Sequence, residues 1–595
     1  MIVRMKKLTL LISEKEKGNF VSDLRKAGVV HIKHVKLPEA HDITYVEDKI
    51  SNINKMISIL SPYAEEHSQR ELVCKDEEIL SNGEKIEEAC KEKEELSAYI
   101  NTLKRQGKWF DAWGQFDPKE LEAFRAKGIN VRLYRLRKDE FKKAQKEMKC
   151  QVIGKEKGHI LAAAVSVDQQ EEIPYHEIIP PAMSPDEIEE EIDKAKNKIV
   201  QIESFLKTEA EGLGSLRICR QKYEKELTFL NVKFGMQVED RFAYLQGFCP
   251  EKETQKVIEV TKKYGAGYIV DEPDNPEETP TLVTNPKWIR IINPVFRFMN
   301  TLPGYNEFDI SFYFLVFFSL FFAMLIGDAG YGILFLIATF LIRRRLKHLP
   351  WEPFFLMYLL SAGTIVWGAI TGTWFGAERI AQLPFLNGLV VGKINSFADN
   401  NQNFLIYICF LIGATQLTIA HLLRAVRVIN SILSFAQFGW ILILWGMFFA
   451  AGKFVIGNVF PPFAGWLLIM GIGLVLFCSN PQKGIFKGAL ITLAELPLSV
   501  IGSFSDIVSY LRLFAVGYAT VVVAESFNNM ALAGGVHSVI GGISAALILF
   551  FGHMLNITLG FMAVIVHGIR LNMLEFSSHL GMQWSGKKYE PFCEE

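Results

Sequence analysis

The sequence predicts an α-helical membrane protein of eight transmembrane helices, the last two long and tilted, with an amino-terminal cytoplasmic domain of α/β lobes and an antiparallel coiled coil. Three observations lead there. Residues 1–295 are rich in Lys and Glu, whereas residues 310–580 are mostly Phe, Leu, Ile, Val, Gly and Ala. The near balance of 64 Lys and Arg against 65 Asp and Glu therefore hides a strong asymmetry. The first half carries heptad-spaced apolar residues, and the second carries Arg512 and Arg570 inside stretches otherwise suited to lipid.

In the soluble half, Val46, Ile50, Ile53, Ile57 and Leu60 alternate steps of four and three, continuing less regularly through Ile86, Leu96, Ile100 and Leu103. A cleaner run opens at SPDE, where Ser184 can cap, Pro185 fits the first turn and Glu187 can close a capping box. Ile188, Ile192, Ala195, Ile199, Ile202 and Leu206 follow, and Leu213, Leu216, Tyr223, Leu227 and Leu230 resume the rhythm. One continuous helix here would reach about 65 Å at 1.5 Å per residue. The earlier heptads are its expected antiparallel partner.

Around the coils, three segments read strand, helix, strand: KKLTLLIS to VVHIKHV, VRLYRLR to HILAAAVSV, and RFAYLQGFC to AGYIVDE. None carries a glycine-rich phosphate cradle and no GxxxxGK[ST] occurs, which argues against nucleotide hydrolysis and any nucleotide cofactor. Basic residues alternate with acids, giving no support to nucleic-acid binding. The eight cysteines are scattered without CxxC or nearby His, so unpaired thiols are expected and neither a metal site nor a disulfide framework. LTLLI after MIVRMKK is too short for a signal peptide, so the first half is expected in the cytoplasm.

The apolar half divides into expected spans near 310–326, 329–342, 353–375, 403–423, 430–450, 461–478, 500–530 and 541–581. The first two are short and separated only by Gly327 and Asp328. Loops after even-numbered spans hold Arg343, Arg344, Arg345 and Lys347, then Arg424 and Arg427, Lys483 and Lys487, and Lys587 and Lys588. The opposite loops hold Arg379, Lys393 and Lys453, so the bias places both termini in the cytoplasm of a multi-pass cell-membrane protein.

Arg512 and Arg570 cannot shed their protons, so they are fixed charges and not relays. Each costs about 2.5–3.5 kcal/mol at a helix centre on the insertion scale, and the surrounding Leu, Val and Phe offset this at about 0.3–0.6 kcal/mol each. Ser505, Ser509 and Arg512 fall at steps of four and three, with Ala519 near the same face. His553, Asn556, Gly560, Ala563, His567 and Arg570 recur similarly, giving both helices one polar or small-residue stripe. The simpler roles are bracing, with each arginine at an interface or paired with Asp506 or Glu575, and His567 as an interior histidine with its hydrogen bonds met. No paired carboxylates or nucleophile–base set supports substrate catalysis.

SYLRLFAVGYA, HGIRLNMLEF, MLIGDAGYG, IGATQ with Gln416, YEPF and the segment PTLVTNPKWIRIINPVFRFMNTLPGYNEFD resemble, nearly end to end, the a subunit (subunit I in prokaryotes) of V-type ATPases. The resemblance implies a non-catalytic stator and ion path, with ATP chemistry on other subunits. Its expected partners are a rotating proteolipid ring bearing carboxylates, peripheral stalks, a membrane-sector subunit associated with the central stalk, and membrane lipid. It implies that Arg512 faces the ring carboxylates, with Arg570 assisting and Gln416, His567, Glu575, Asp506, Ser509, His553 and Asn556 as polar lining. The chain departs from the family at Asp309–Ser311, where Asp-Pro-Thr is usual, and at Asn556 and Gly560, where some relatives carry a carboxylate. Two rival classes are a self-contained secondary transporter or channel and a purely structural anchor. The transporter predicts an internal repeat or paired broken helices around a midplane substrate site; the sequence shows no such repeat, and a transporter would not need a long cytoplasmic coiled coil.

Overall fold

A computed structural model describes the chain apart from residues 34, 35, 37, 65–75, 148, 157, 168–174, 240, 398–400, 481–484, 534–537 and 595, and gives only the backbone of 76–81, 146, 147 and 485. The first and third strand–helix–strand segments do not form separate lobes. Met5–Ser13 pairs antiparallel along its whole length with Phe242–Pro250, and Gly267–Asp271 and His31–Lys33 flank this pair in one sheet that Gln237–Glu239 extends. Leu8, Leu10 and Ile12 all point into the core, as strand alternation requires. They meet Phe20, Val21 and Leu24 of the Lys17–Ala27 helix and Val257 of Thr254–Lys263. The second segment forms its own antiparallel sheet, in the order Cys150–Glu156, His159–Ser166, Asn130–Leu136 and Glu177–Ile178.

The coil between the sheets is built from two helix pairs. Asp76–Trp113 lies against Pro185–Ala210, and His41–Leu60 against Leu213–Phe234. Lys93 reaches Glu203 at 2.6 Å while Gly107 approaches Ile188, so one chain rises as the other falls and the pair is antiparallel. Ser184 and Glu187 form the capping box. The single long helix expected from the heptads is interrupted at Glu211 and Gly212, where Leu213 begins a second helix. Leu206, Ala210, Leu213 and Leu216 nevertheless share one buried cluster, so the seam continues across the joint. Cys219 on that seam is disulfide-bonded, which corrects the expectation of unpaired thiols; Cys74 lies outside the described residues.

Among the described residues five helices are long and apolar enough to cross a membrane: Glu352–Thr371, Gln402–Arg427, Leu433–Ile456, Phe486–Ala533 and Val539–Leu580. Ser311–Ile326 and Ala329–Arg345 form a bent pair, turning through 119°, and Pro462–Cys478 is shorter. The expected span at 500–530 is part of a 48-residue helical stretch that starts at Phe486 and contains Pro497. Lys483, used above in the charge bias, lies outside the described residues.

The turn of the bent pair is built by two residues. Gly327 adopts φ +66°, the left-handed cap that ends the first helix. Asp328 then accepts from the backbone N–H groups of Gly330 (2.8 Å), Tyr331 (3.3 Å), Phe375 (2.9 Å) and Gly376 (2.9 Å), tying the turn to the loop after Thr371. At the other end of the first helix, Asp309 accepts from both the N–H and the hydroxyl of Ser311, the first residue of that helix. Phenylalanines 314, 318, 321 and 322 fill the centre of the bundle with Phe410, Leu417, Tyr510, Leu571 and Phe576.

Candidate functional site

The two arginines converge. The helix carrying Arg512 breaks at Tyr510, between Ile485–Ser509 and Leu511–Ala533. The Leu513 N–H turns to Tyr510 O at 3.0 Å, and the Ser509 carbonyl accepts instead from Arg512 Nε at 3.1 Å. The guanidinium thus caps the break that it follows, which fixes its direction. Its Nη2 then lies 2.6 Å from Glu575 Oε1, and the Ser509 hydroxyl donates to the same oxygen at 2.7 Å.

Arg570 reaches Glu575 Oε1 from its own helix at 3.9 Å. Residues five apart lie on different faces of an α-helix, some 140° round. Here Val564–Gly568 and Leu571–Phe576 are π-helical, and the wider turn brings position i+5 back beneath position i. The buried face of this helix runs through Asn556, Gly560, Val564, Gly568, Asn572 and Glu575. This corrects the single stripe read from the sequence: Arg570 lies outside it, 55% exposed, and His567 is at its margin, because that stripe assumed a constant 3.6-residue period. Glu575 is 6% exposed and Arg512 26%. Two cations and one carboxylate leave one positive charge uncompensated among the three side chains.

Gln416 sits beside this triad. Its Oε1 accepts from Tyr510 Oη at 2.8 Å and its Nε2 donates to Asn572 Oδ1 at 2.9 Å, joining three helices at one depth. Gly413, one turn earlier, leaves room for the Tyr510 ring, since a Cβ there would lie 2.5 Å from it.

Two further polar groups flank the triad on opposite sides. Asp506 Oδ2 accepts from His579 Nε2 at 3.0 Å. His579 Nδ1 and His421 Nε2 are 2.9 Å apart, and His421 Nδ1 is 2.9 Å from Gln437 Oε1. This group shares its end of the bundle with Arg424 and Arg427. Towards the other end, Tyr331 Oη contacts His553 Nδ1 (2.7 Å) and accepts from Asn556 Nδ2 (3.0 Å), while His553 Nε2 is 3.2 Å from Asn528 Oδ1. Asn556 lies fourteen residues from Arg570, or about 21 Å along a helix.

The predicted residues therefore fall into three groups. Arg512, Ser509, Glu575 and Arg570 meet, with Gln416 adjoining; Asp506 lies on one side, and His553 and Asn556 on the other. His567 Nδ1 has no hydrogen-bond partner among the described residues. Sequence reasoning missed Tyr510, Asn572, His579, His421, Gln437, Tyr331 and Asn528. Tyr331, His421 and Gln437 are lone polar residues in apolar runs, which is a weak signal; Tyr510, Asn528, Asn572 and His579 sit among other polar residues and carry none. Among the described residues no cluster of three His, Cys, Asp or Glu is arranged to hold a metal ion.

The chain is 31% identical to V-type ATP synthase subunit I of Borreliella burgdorferi, over all of this chain and 99% of that protein. It is 27% identical to V-type ATP synthase subunit I 1 of Treponema pallidum over the full length of both. Against A-type ATP synthase subunit I of Methanocaldococcus jannaschii it is 29% identical over 68% of this chain and 63% of that one. The cytoplasmic N-terminal domain of a V-ATPase subunit I, a solved structure, aligns with 44% of this chain at 16% identity and a TM-score of 0.24, covering 99% of its own length. No family model matches. On the full-length relationship, the chain belongs to the subunit I family of V-type and A-type ATP synthases.

Proposed function

We propose that this protein is the stator and ion-translocating subunit of a rotary V-type ATPase or ATP synthase, with ATP chemistry on other subunits. Residues 1–295 form a cytoplasmic strut that joins peripheral stalks, and residues 296–595 form the membrane domain. In this reading that domain crosses the cell membrane eight times, counting both arms of the bent pair and Pro462–Cys478, and both termini are cytoplasmic. It lies against a ring of proteolipid subunits, with a central-stalk-associated membrane-sector subunit and lipid as further neighbours.

One observation carries the reading: one buried glutamate holds Arg512 by a hydrogen bond and has Arg570 3.9 Å away, and the pair of arginines still leaves a positive charge that is partly exposed. A fixed cation beside a ring carboxylate favours its ionised form, so an arriving site releases its ion. It also obstructs direct passage of a cation between the flanking polar groups around Asp506 and around His553. Moving one charge against 100 mV requires about 2.3 kcal/mol, which ATP hydrolysis elsewhere must supply.

The anchor reading has an observation of its own, because Arg512–Glu575 is an ion pair between helices. Arg512→Ala and Arg512→Lys in the assembled complex separate the two. The stator reading expects normal subunit content with ATP-driven ion uptake into vesicles reduced about a hundredfold or more. Wild-type uptake by an assembled Arg512→Ala complex would favour the anchor.

A further inference from the structure

We propose that Asp506, His579, His421 and Gln437 form a proton-loading relay and that the ion taken up on this side of the stator is therefore H⁺ and not Na⁺. This rests on the function proposed above and goes further by naming the ion and the residues that receive it.

The chain of contacts runs carboxylate, imidazole, imidazole, amide, with neighbouring atoms 3.0, 2.9 and 2.9 Å apart. Its two outer partners, Asp506 Oδ2 and Gln437 Oε1, are both acceptors. Each outer ring nitrogen must then carry a hydrogen, and the contact between the rings needs a third. Two neutral imidazoles supply two. With the Gln437 oxygen turned inward, the relay is fully hydrogen-bonded only when it holds one proton more than its neutral state. Rotating the Gln437 amide presents Nε2–H instead, and the same contacts are then complete without the extra proton. The amide thus distinguishes a loaded from an empty relay by half a turn.

The surroundings suit this task. His421 and Gln437 are buried and His579 is nearly so, while Asp506 is 33% exposed and forms the open end. The Trp440 ring lies parallel to His421 at 6.3 Å and walls that side of the relay. Hydronium at the open end gives its proton to the relay and leaves as water; a ring carboxylate later takes that proton and becomes a carboxylic acid. Sodium needs several oxygen ligands around one point. Here the two oxygen ends are separated by both rings, and Na⁺ has no ligand set.

The test uses the whole complex in vesicles, with acidification followed by a pH-sensitive dye and sodium by ²²Na⁺. Wild type should acidify the lumen without added sodium. His421→Gln and His579→Gln should assemble normally and lose about tenfold or more of that rate, and the double variant should be no worse than either. Gln437→Glu, which fixes an acceptor at the blind end, should move the pH profile of uptake to alkaline pH by about one unit. Wild-type acidification by both histidine variants, an unmoved profile in Gln437→Glu, or ²²Na⁺ uptake without acidification would each overturn the relay. An Arg512→Ala control that is inactive while the histidine variants pump normally refutes the relay alone. An active Arg512→Ala complex refutes the stator function itself.

Discussion

Arg512 Nη2 lies 2.6 Å from Glu575 Oε1 although 63 positions separate the two residues, and the Ser509 hydroxyl shares that oxygen. Removing the carboxylate leaves a partly buried guanidinium with only the Ser509 carbonyl to hold it. Glu575→Ala should therefore destabilise the protein by about 2 kcal/mol or more, less than a fully buried pair because Arg512 is a quarter exposed. Glu575→Gln keeps a hydrogen-bond acceptor at the same place and should cost about half as much. Thermal unfolding of the two purified variants against wild type checks the order.

Asp328 serves four backbone N–H groups from two segments, at 2.8–3.3 Å, and is itself buried. Asp328→Ala strands all four donors at about 1–3 kcal/mol each and should prevent stable folding. Asp328→Asn retains one acceptor oxygen and should give a folded but weakened protein. Detergent-solubilised yield and thermal midpoint distinguish the two variants.

What was legible in the sequence follows from range and period. The capping box at Ser184 and Glu187 is a local pattern and appears where the spacing put it. The heptad residues share a buried seam although their helix is interrupted, and the apolar stretches return as apolar helices with different bounds, as at Phe486–Ala533. The pairing of Met5–Ser13 with Phe242–Pro250 is not local: nothing in either strand names a partner more than two hundred residues away. At the site, Arg512, Arg570 and Glu575 each stood out as charges in apolar runs. Their meeting stayed hidden because the π turns alter the period on which face assignments rest. His421 and His579 are 158 positions apart and read as two unrelated histidines.

The Tyr510–Gln416 contact depends on an absent side chain. An alanine Cβ at position 413 would lie 2.5 Å from Tyr510 Cδ2 and 2.6 Å from Cγ, and the ring is fully buried. Gly413→Ala must displace that ring, costing about 1–3 kcal/mol and breaking the hydroxyl's 2.8 Å bond to Gln416. Tyr510→Phe removes only the hydroxyl and leaves Gln416 Oε1 unpaired, at about 1–2 kcal/mol. Ion uptake should fall further in Gly413→Ala than in Tyr510→Phe, since only the former moves the backbone break that orients Arg512. Parallel uptake and unfolding measurements on the two variants test this.

The carboxy-terminal tail returns to the amino-terminal sheet. Lys587–Lys588 pairs with Pro280–Thr281, the Phe592 N–H donates to Val30 O at 2.8 Å, and the Phe592 ring enters the sheet's core. His31 is part of this seam, with Nδ1 3.0 Å from Glu590 O and 3.2 Å from Glu590 N. Burial disfavours its charged form and pushes its pKa below the ordinary 6.5, outweighing the stabilisation from the Glu590 carbonyl. A histidine whose folded pKa is depressed supports the docked state above the unfolded value, and that support is lost as pH falls from 6.5 through the folded value. The tail should therefore loosen below pH 6.5, exposing the Lys587–Lys588 bonds to trypsin. His31→Gln cannot charge and should remove the dependence. The ratio of wild-type to variant cleavage rates at each pH cancels the protease's own profile; it should rise on acidification, and a flat ratio would rule out His31 as the titrating group.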